Sequence, residues 1–288
     1  LFPRELSAIT KLPYSKIKVP FDVICLTVTA AMTLIFLGHI DGLGIGTVLA
    51  AFTMGKVIGI MGGMGPEAGA DLFLRITQAT HAKCDTDHLH IIMDSNPKMP
   101  SRQDAILHGG ESPVPAMVET ANNLVRAGAD VIIIGANTAH YFYDDVAAQV
   151  PVPFLHIIDE AVKETQRQVP GVKKLGVMAT AAAMQAGVYE KSCEKFGIQV
   201  LPVPADVQER MQAAIFDHDY GFKYNGRTEK CVAEAKAVAA WLMDQGAQAL
   251  VMGCTEIPLI LEGETFPVPL IDPNEIIAQA AVKYAKGL

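Results

Sequence analysis

Between Lys56 and the end of the chain, short apolar runs rich in β-branched residues alternate with longer segments of mixed apolar and polar positions. The runs are VIGIM at 57, HIIMD at 90, VIII at 131, FLHII at 154, LGVMA at 175, IQVLPV at 198 and ALVMG at 249. Buried parallel strands read as continuous apolar runs, and helices connect them. The alternation therefore predicts an α/β fold built on parallel sheets.

An internal repeat divides this region into two similar halves. AGADVIIIGANT, which ends at Thr138, matches QGAQALVMGCTE, which ends at Glu256. In this register Ala136 corresponds to Cys254. Self-similarity of this kind indicates a duplicated structural unit.

A duplicated α/β unit places equivalent strand ends on either side of a cleft, and ligands of open α/β sheets bind at the carboxyl ends of the strands. We therefore predict two pseudo-symmetric lobes, residues 56–163 and 164–288, with the active site in the cleft where Ala136 faces Cys254. Similar groups on opposite faces of a small molecule suit inversion at a carbon centre. The symmetry favours a racemase.

The first 55 residues have a different character. Val23–Gly38 is an almost uninterrupted apolar run, a little shorter than the roughly 20 residues that cross a bilayer. A second apolar stretch follows at Gly42–Met54. The basic residues before the first run are Arg4, Lys11, Lys16 and Lys18. We predict a membrane-like extension over 1–55, resembling the tail of a bacterial multi-spanning membrane protein, with its amino terminus cytoplasmic. A buried pair of core helices is the alternative.

Charge and cysteine usage exclude several classes of function. The chain has 288 residues and a formal net charge of −8, so it lacks the basic field that nucleic-acid binding requires. Its five cysteines are odd in number and show no CxxC or Cys/His ligand spacing. We expect a reducing, cytoplasmic location, tethered to a membrane if residues 1–55 span one, and no structural zinc.

The segment GCTEIP, which begins at Gly253, carries a candidate catalytic thiol. Cys254 follows an apolar strand and precedes a predicted helix start, where backbone N–H groups lower the pKa of a thiol. A small buried cysteine is the plain structural interpretation. The neighbouring Thr255 and Glu256 favour a functional one, because a core turn does not need a hydroxyl and a carboxylate.

The counterpart segment GANTAH, which begins at Gly135, offers hydrogen-bond donors but no base. Asn137 and Thr138 suit a carboxylate ligand, whereas Ala136 cannot take or give a proton. His140 is interpreted as a structural residue that hydrogen-bonds at a helix start.

Glycines of GGMGPEAG at 62–69 predict a tight turn after the first strand, with Met64 in the turn and Pro66 at the start of a helix. The weak pattern GxGxxA within it leaves a dinucleotide site open, with Asp94 as the ribose ligand. The equivalent segment of the second half contains Thr180 and no phosphate-binding glycines. This favours a small carboxylate over a pyrophosphate.

Two cations lie in polar segments that suit carboxylate recognition. Arg102 follows the second strand in SNPKMPSRQ, and Lys223 lies among aromatic and glycine residues in DYGFKYNG. A solvated surface position is the alternative for each. His88 and His90 alternate along a predicted strand, but they lack a third metal ligand and are interpreted as structural.

The motifs IGIMGGMGPEA, NPKMPSR, ANTAHY, VPFLH and GCTEIP, in this order and spacing, resemble the aspartate racemase branch of the aspartate/glutamate racemase family. The resemblance extends from about Lys56 to the end of the chain. The glutamate racemase branch has histidine where this chain has Glu256, so aspartate is favoured over glutamate as substrate.

The resemblance implies a mechanism without pyridoxal phosphate or metal, in which two cysteines on opposite lobes exchange the roles of base and acid at Cα. It implies no cofactor, a small acidic amino acid or dicarboxylate as ligand, and a homodimer. Asn137, Thr138 and Thr255 would hold the α-carboxylate, and Arg102 and Lys223 the side-chain carboxylate. Met64, Thr180 and Glu256 complete the predicted binding set.

The chain departs from the family at the first catalytic position, which Ala136 occupies in place of cysteine. Activity is therefore expected to be impaired or restricted to one face of the substrate. A decarboxylase-type enzyme with one cysteine and a non-catalytic binder of acidic amino acids are the alternatives.

Overall fold

The computed structural model describes residues 56–288 together with 17, 20, 21, 23–25, 27 and 28. The predicted apolar extension over 1–55 lies outside the described residues except at those few positions. None of the helices among the described residues combines the length and apolar character that crossing a bilayer requires.

The first half forms a parallel four-stranded sheet in the order β2-β1-β3-β4. Its strands are β1 (Ile58–Gly62), β2 (Ile91–Ser95), β3 (Val131–Ile134) and β4 (Phe154–Leu155). The helices are α1 (Pro66–Ala79), α2 (Arg102–His108), α3 (Val114–Ala127), α4 (Tyr143–Ala147) and α5 (Ile157–Gln168), with 3₁₀ turns at Asp85–Asp87 and Thr138–Phe142.

The second half repeats this arrangement, with the order β6-β5-β7-β8. Its strands are β5 (Lys174–Met178), β6 (Gln199–Val200), β7 (Ala249–Met252) and β8 (Leu270–Ile271). The helices are α6 (Ala181–Gln185), α7 (Val188–Glu194), α8 (Ala205–Phe216), α9 (Phe222–Asn225), α10 (Glu229–Asp244), α11 (Ile257–Ile260) and α12 (Pro273–Lys286).

Equivalent hydrogen bonds support the internal repeat. The N–H of Gly135 donates to Met61 O at 3.0 Å, and the N–H of Gly253 donates to Met178 O at 2.7 Å. These bonds fix the chain where β3 and β7 end, just before Ala136 and Cys254. The predicted α/β fold of two parallel-sheet lobes is confirmed.

A shared apolar core joins the two lobes, because the last helix of each lobe packs against the other lobe. Helix α5 packs against α7 of the second lobe, and α12 packs against α1 of the first. The Arg75 Nη1 atom on α1 also contacts Asp272 Oδ2, at the start of α12, at 2.9 Å. The lobe boundary predicted between 163 and 164 falls inside α5, which continues unbroken to Gln168.

Several predicted strands are shorter than their apolar runs. The run FLHII was predicted as one strand, but its last two residues begin α5. The reason is local, since His156 Nδ1 accepts a hydrogen bond from Asp159 N at 3.2 Å and so caps the helix. The strand prediction for His88 and His90 is also wrong. Both are exposed and precede β2.

Candidate active site

The carboxyl ends of the central strands of both lobes open into one cleft of about 480 Å³. All ten predicted site positions line it: Met64, Arg102, Ala136, Asn137, Thr138, Thr180, Lys223, Cys254, Thr255 and Glu256. Three lining residues were not predicted from the sequence, namely Gln103, Phe216 and Gly253. Gln103 and Gly253 adjoin predicted residues, whereas Phe216, at the end of α8, carries no recognisable sequence signal.

The glycine turn after β1 serves a close backbone contact. Gly63 has a φ of +89°, and a Cβ there would lie 2.4 Å from backbone atoms of Asn96 in the loop after β2. Only glycine fits this approach. The turn thereby presses against the loop that leads to Arg102, and Pro66 starts α1 as predicted. This contact accounts for the glycine without a bound phosphate.

Glu256 lies at the centre of a hydrogen-bonded group on the second-lobe wall. The Cys254 thiol donates to Glu256 Oε2 at 2.8 Å, and the Thr255 hydroxyl donates to the same oxygen at 2.9 Å. The other carboxylate oxygen, Oε1, lies 3.0 Å from Lys223 Nζ. Thiol, hydroxyl, carboxylate and ammonium thus form one connected network.

The prediction that Cys254 favours its thiolate is wrong for the free cleft. Burial and the adjacent Glu256 carboxylate raise the pKa of the Cys254 thiol well above its usual value. The four-residue helix α11 begins at Ile257, and a single backbone N–H bond from Glu256 lowers the pKa too little to compensate. The thiol is therefore protonated at neutral pH.

Glu256 keeps its charge despite its surroundings. Burial acts to raise the pKa of this carboxyl, but the Lys223 ammonium and hydrogen bonds from Cys254, Lys223 and Thr255 outweigh burial and lower it overall. A charged carboxylate that accepts from a neutral thiol is placed to receive the proton of that thiol.

Replacement of Glu256 by glutamine tests this relation. It removes a negative charge beside Cys254, so the pKa of the thiol should fall and its alkylation by iodoacetamide should extend to lower pH. The sign follows because the thiolate alone reacts and its fraction grows as pH rises towards the pKa. Peptide mass spectrometry at Cys254 over a pH series measures the profile.

Glu264→Gln provides the matched control, since Glu264 is held by Arg227 and Lys236 away from the cleft. The control should leave the Cys254 profile unchanged. An unchanged profile in Glu256→Gln would show that Glu256 does not govern the thiol.

On the opposite wall, Ala136 presents a methyl group beside an amide with a free donor. Asn137 is 4% exposed, and its Oδ1 accepts from the Tyr189 hydroxyl at 2.9 Å. Within the described part of the chain, its Nδ2 atom has no hydrogen-bond partner. A buried donor without a partner costs free energy unless a ligand binds it. The Asn137 amide is thus suited to an anionic ligand.

His140 has the structural role predicted for it. Its Nδ1 donates to Ala136 O at 2.9 Å, and its Nε2 accepts from Ile157 N at 3.4 Å. Burial, reinforced by the neighbouring His156, lowers the pKa of His140 to about 3. A neutral imidazole therefore links the Ala136 loop to α5, and His140 does not line the cleft.

Thr138 and Thr180 connect the two lobes across the floor of the cleft. Their hydroxyl oxygens lie 3.4 Å apart, and Thr180 Oγ1 also accepts from Ala183 N at 3.3 Å as the cap of α6. Either hydroxyl can donate to the other, and both line the cleft.

The two predicted cations differ in how the protein holds them. Arg102 is the first residue of α2, and the Ser101 side chain caps this helix. Its Nη1 donates to Pro100 O at 2.8 Å and Met99 O at 3.3 Å. Over residues 56–288 it pairs with no carboxylate, and burial lowers its pKa from the usual value. Lys223, in contrast, is already paired with Glu256.

Within the described part of the chain, no group of three or more His, Cys, Asp or Glu side chains is arranged to hold a metal ion. The lining residues carry two cations, Arg102 and Lys223, against one carboxylate, Glu256. The cleft therefore complements a small ligand with a net negative charge.

The region that forms the two lobes matches a known protein family. The model described as Asp/Glu/Hydantoin racemase matches residues 61–281. A second model, described as a family of unknown function, matches residues 1–62.

Individual proteins similar to this chain are also racemases. The chain is 25% identical over 230 residues to a broad-specificity amino-acid racemase of Bacillus subtilis (strain 168), covering 78% of this chain and 96% of that protein. A glutamate racemase of Aquifex aeolicus (strain VF5) is 28% identical over 185 residues, 59% of this chain and 64% of that protein. The solved aspartate racemase of Picrophilus torridus superposes with a TM-score of 0.69 and 28% identity, covering 80% of this chain and 94% of that chain.

Proposed function

Because this chain belongs to the Asp/Glu/hydantoin racemase family and is an isomerase of the amino-acid racemase class, we propose that it acts on aspartate through Cys254 alone. The observation that carries the proposal is a half-buried Arg102, without a carboxylate partner among the described residues, in the same cleft as the Cys254 thiol. An acidic amino acid supplies the missing counter-ion and places its Cα near the thiol.

The α-carboxylate is proposed to bind on the first-lobe wall. The free Nδ2 donor of Asn137 and the hydroxyl of Thr138 are both available there. Thr255 was expected to share this role, but its hydroxyl donates to Glu256 in the free cleft, so it must exchange partners to reach a ligand. Asn137 is the stronger candidate, because binding a carboxylate satisfies a donor that has no partner in the part of the chain that the structure describes.

The side-chain carboxylate is proposed to bind between the two cations. Arg102 offers donors for a bidentate contact, and Lys223 lies within reach from the other side while it holds Glu256. An acidic amino acid has two carboxylates and one ammonium group, so its net charge offsets the surplus cation of the cleft. A neutral amino acid leaves that surplus uncompensated.

Proton transfer is proposed to start with Cys254 and Glu256. The thiol gives its proton to Glu256 Oε2 along their 2.8 Å hydrogen bond, and the resulting thiolate takes the proton from Cα. The reverse steps return a proton to the same face. On the opposite face the methyl group of Ala136 carries no exchangeable proton, so inversion is impaired. No cofactor is required for this sequence of steps.

Substitution of Arg102 tests the recognition of the side-chain carboxylate. Arg102→Gln should weaken aspartate binding by about 1.5–3 kcal/mol, the magnitude of a charge-assisted hydrogen bond, and should change alanine binding little. Isothermal titration calorimetry with both amino acids measures the difference.

Arg210→Gln is the matched control, because Arg210 is an exposed arginine that pairs with Glu234 outside the cleft. It should leave both affinities unchanged. Equal weakening of aspartate and alanine in Arg102→Gln would contradict a role in reading the side chain.

The alternatives follow from Ala136 as well. A decarboxylase-type enzyme would protonate a planar intermediate from one face, and a binder would retain the cleft without proton transfer. Incubation with each enantiomer of aspartate in D₂O, followed by chiral analysis and mass measurement, separates them. Deuterium at Cα of one enantiomer supports the proposal, loss of CO₂ supports the decarboxylase, and binding without exchange supports the binder.

A homodimer and a cytoplasmic location are also part of the proposal. Phe73 and Leu74 on α1 are 39% and 53% exposed and offer an apolar surface for a second copy. Light scattering should give twice the mass of one chain, and a monomer would contradict this expectation.

A further inference from the structure

Tyr189 connects the two walls of the cleft although it does not line the cleft itself. It lies on α7 of the second lobe and is 1% exposed. Its hydroxyl donates across the lobe interface to Asn137 Oδ1 at 2.9 Å. Its ring packs on the second-lobe loop, where a Cβ at Gly253 would lie 3.0 Å from Tyr189 Cε2.

Comparison of the two lobes distinguishes the role of the Tyr189 ring from the role of its hydroxyl. Leu72 occupies the corresponding place in the first lobe, since its Cδ2 would lie 3.7 Å from a Cβ at Gly135. An aliphatic side chain therefore suffices to pack against the glycine before the catalytic position. The Tyr189 hydroxyl has no counterpart on Leu72, so packing does not account for it.

We propose that Tyr189 is a positioning residue, whose hydroxyl fixes the Asn137 amide so that Nδ2 faces the α-carboxylate of the substrate. An amide that is free to rotate presents either its oxygen or its nitrogen to the cleft, and the oxygen repels a carboxylate. By occupying Oδ1, Tyr189 leaves the donor free for the ligand, which matches an Nδ2 atom that has no partner among the described residues. This inference rests on the proposed function, in which Asn137 binds that carboxylate.

The surroundings keep the phenol able to donate. Burial raises the pKa of the Tyr189 hydroxyl well above its usual value. The nearby Cys254, Cys193 and Asp272 raise it further by smaller amounts. The hydroxyl thus remains protonated even when a thiolate forms at Cys254. Loss of the hydroxyl in Tyr189→Phe keeps the ring against Gly253, so this variant is expected to fold.

The test compares aspartate with β-alanine, which keeps the amino group and the distal carboxylate but lacks the α-carboxylate. Tyr189→Phe in the full chain should weaken aspartate binding roughly threefold to tenfold, the range of one buried hydrogen bond, and leave β-alanine binding unchanged. Calorimetry measures both ligands. Tyr143→Phe is the matched control, because it deletes a hydroxyl that bonds Phe154 O outside the cleft.

A double-mutant cycle distinguishes positioning from a general structural effect. In an Asn137→Ala background, Tyr189→Phe should have no further effect on aspartate binding. Unchanged aspartate binding in Tyr189→Phe, equal weakening for β-alanine, or an effect that persists without Asn137 would each overturn the inference alone. If the unmodified chain fails to bind aspartate, the proposed function itself fails, and this inference falls with it.

Discussion

Replacing Ala136 by cysteine is expected to raise the rate at which the enantiomers of aspartate interconvert by roughly 10²–10⁴-fold, the contribution of one positioned acid or base. Ala136 occupies the strand end that corresponds to Cys254, and equivalent hydrogen bonds hold the preceding glycines of both lobes. A thiol there would face the cleft from the position where Ala136 now presents a methyl group. Chiral chromatography of either enantiomer over time measures the rate.

Ala136→Ser is the matched control for this gain. It adds a polar group of similar size, but a hydroxyl is a much weaker acid than a thiol and should restore little interconversion. If Ala136→Cys binds aspartate and still gives no gain, two-sided proton transfer is excluded as the chemistry of this cleft. The decarboxylase or binder alternative then takes its place.

Replacing Cys254 by alanine is expected to lower the exchange of the Cα proton in D₂O by roughly 10²–10⁴-fold while aspartate still binds. The thiol is the group that contacts the substrate Cα in the proposal, and Glu256 acts through it. Mass measurement of recovered aspartate follows the exchange, and calorimetry checks binding. Retained exchange would identify Glu256 or another group as the base.

Cys193→Ala provides the control, because Cys193 is a buried cysteine on α7 whose pKa burial raises to about 12. It lies outside the lining of the cleft. Its removal should lower stability through lost packing without lowering exchange.

Combining Ala136→Cys with Cys254→Ala moves the thiol to the other wall. Exchange should then occur on the opposite face and label the other enantiomer. This exchange should be slower than exchange through Cys254. Asn137 and Thr138 follow position 136 and carry no carboxylate, whereas Thr255 and Glu256 follow Cys254.

Most of the fold follows from local patterns in the sequence. Buried strands such as β1, β3 and β7 are apolar at almost every position because both faces of the sheet are covered. The internal repeat then places Ala136 opposite Cys254, since duplicated units keep their strand order. The strand predicted for FLHII failed because of a local cap, since His156 starts a helix within this apolar run.

Ten of the residues that line the cleft were predicted from the sequence, whereas the charge and pairing of their side chains were not. Motif positions identify Cys254, Glu256, Arg102 and Lys223, and all line the cleft. Only the folded chain pairs Lys223 with Glu256 and leaves Arg102 without a carboxylate partner among the described residues. The contacting side chains come from different helices and loops, so no spacing rule connects them.

Tertiary structure also decides the protonation of the Cys254 thiol and the orientation of the Asn137 amide. The predicted helix start after Cys254 indicated a thiolate there. Burial and the Glu256 carboxylate, 2.8 Å away, instead raise the pKa of the thiol. Tyr189 was not recognised because its hydroxyl meets Asn137 only across the lobe interface. The sequence by itself determines the repeated α/β units and the residues at their strand ends. Tertiary structure decides which of these groups are charged, paired or free, because desolvation and hydrogen bonding depend on neighbours that are distant in the chain.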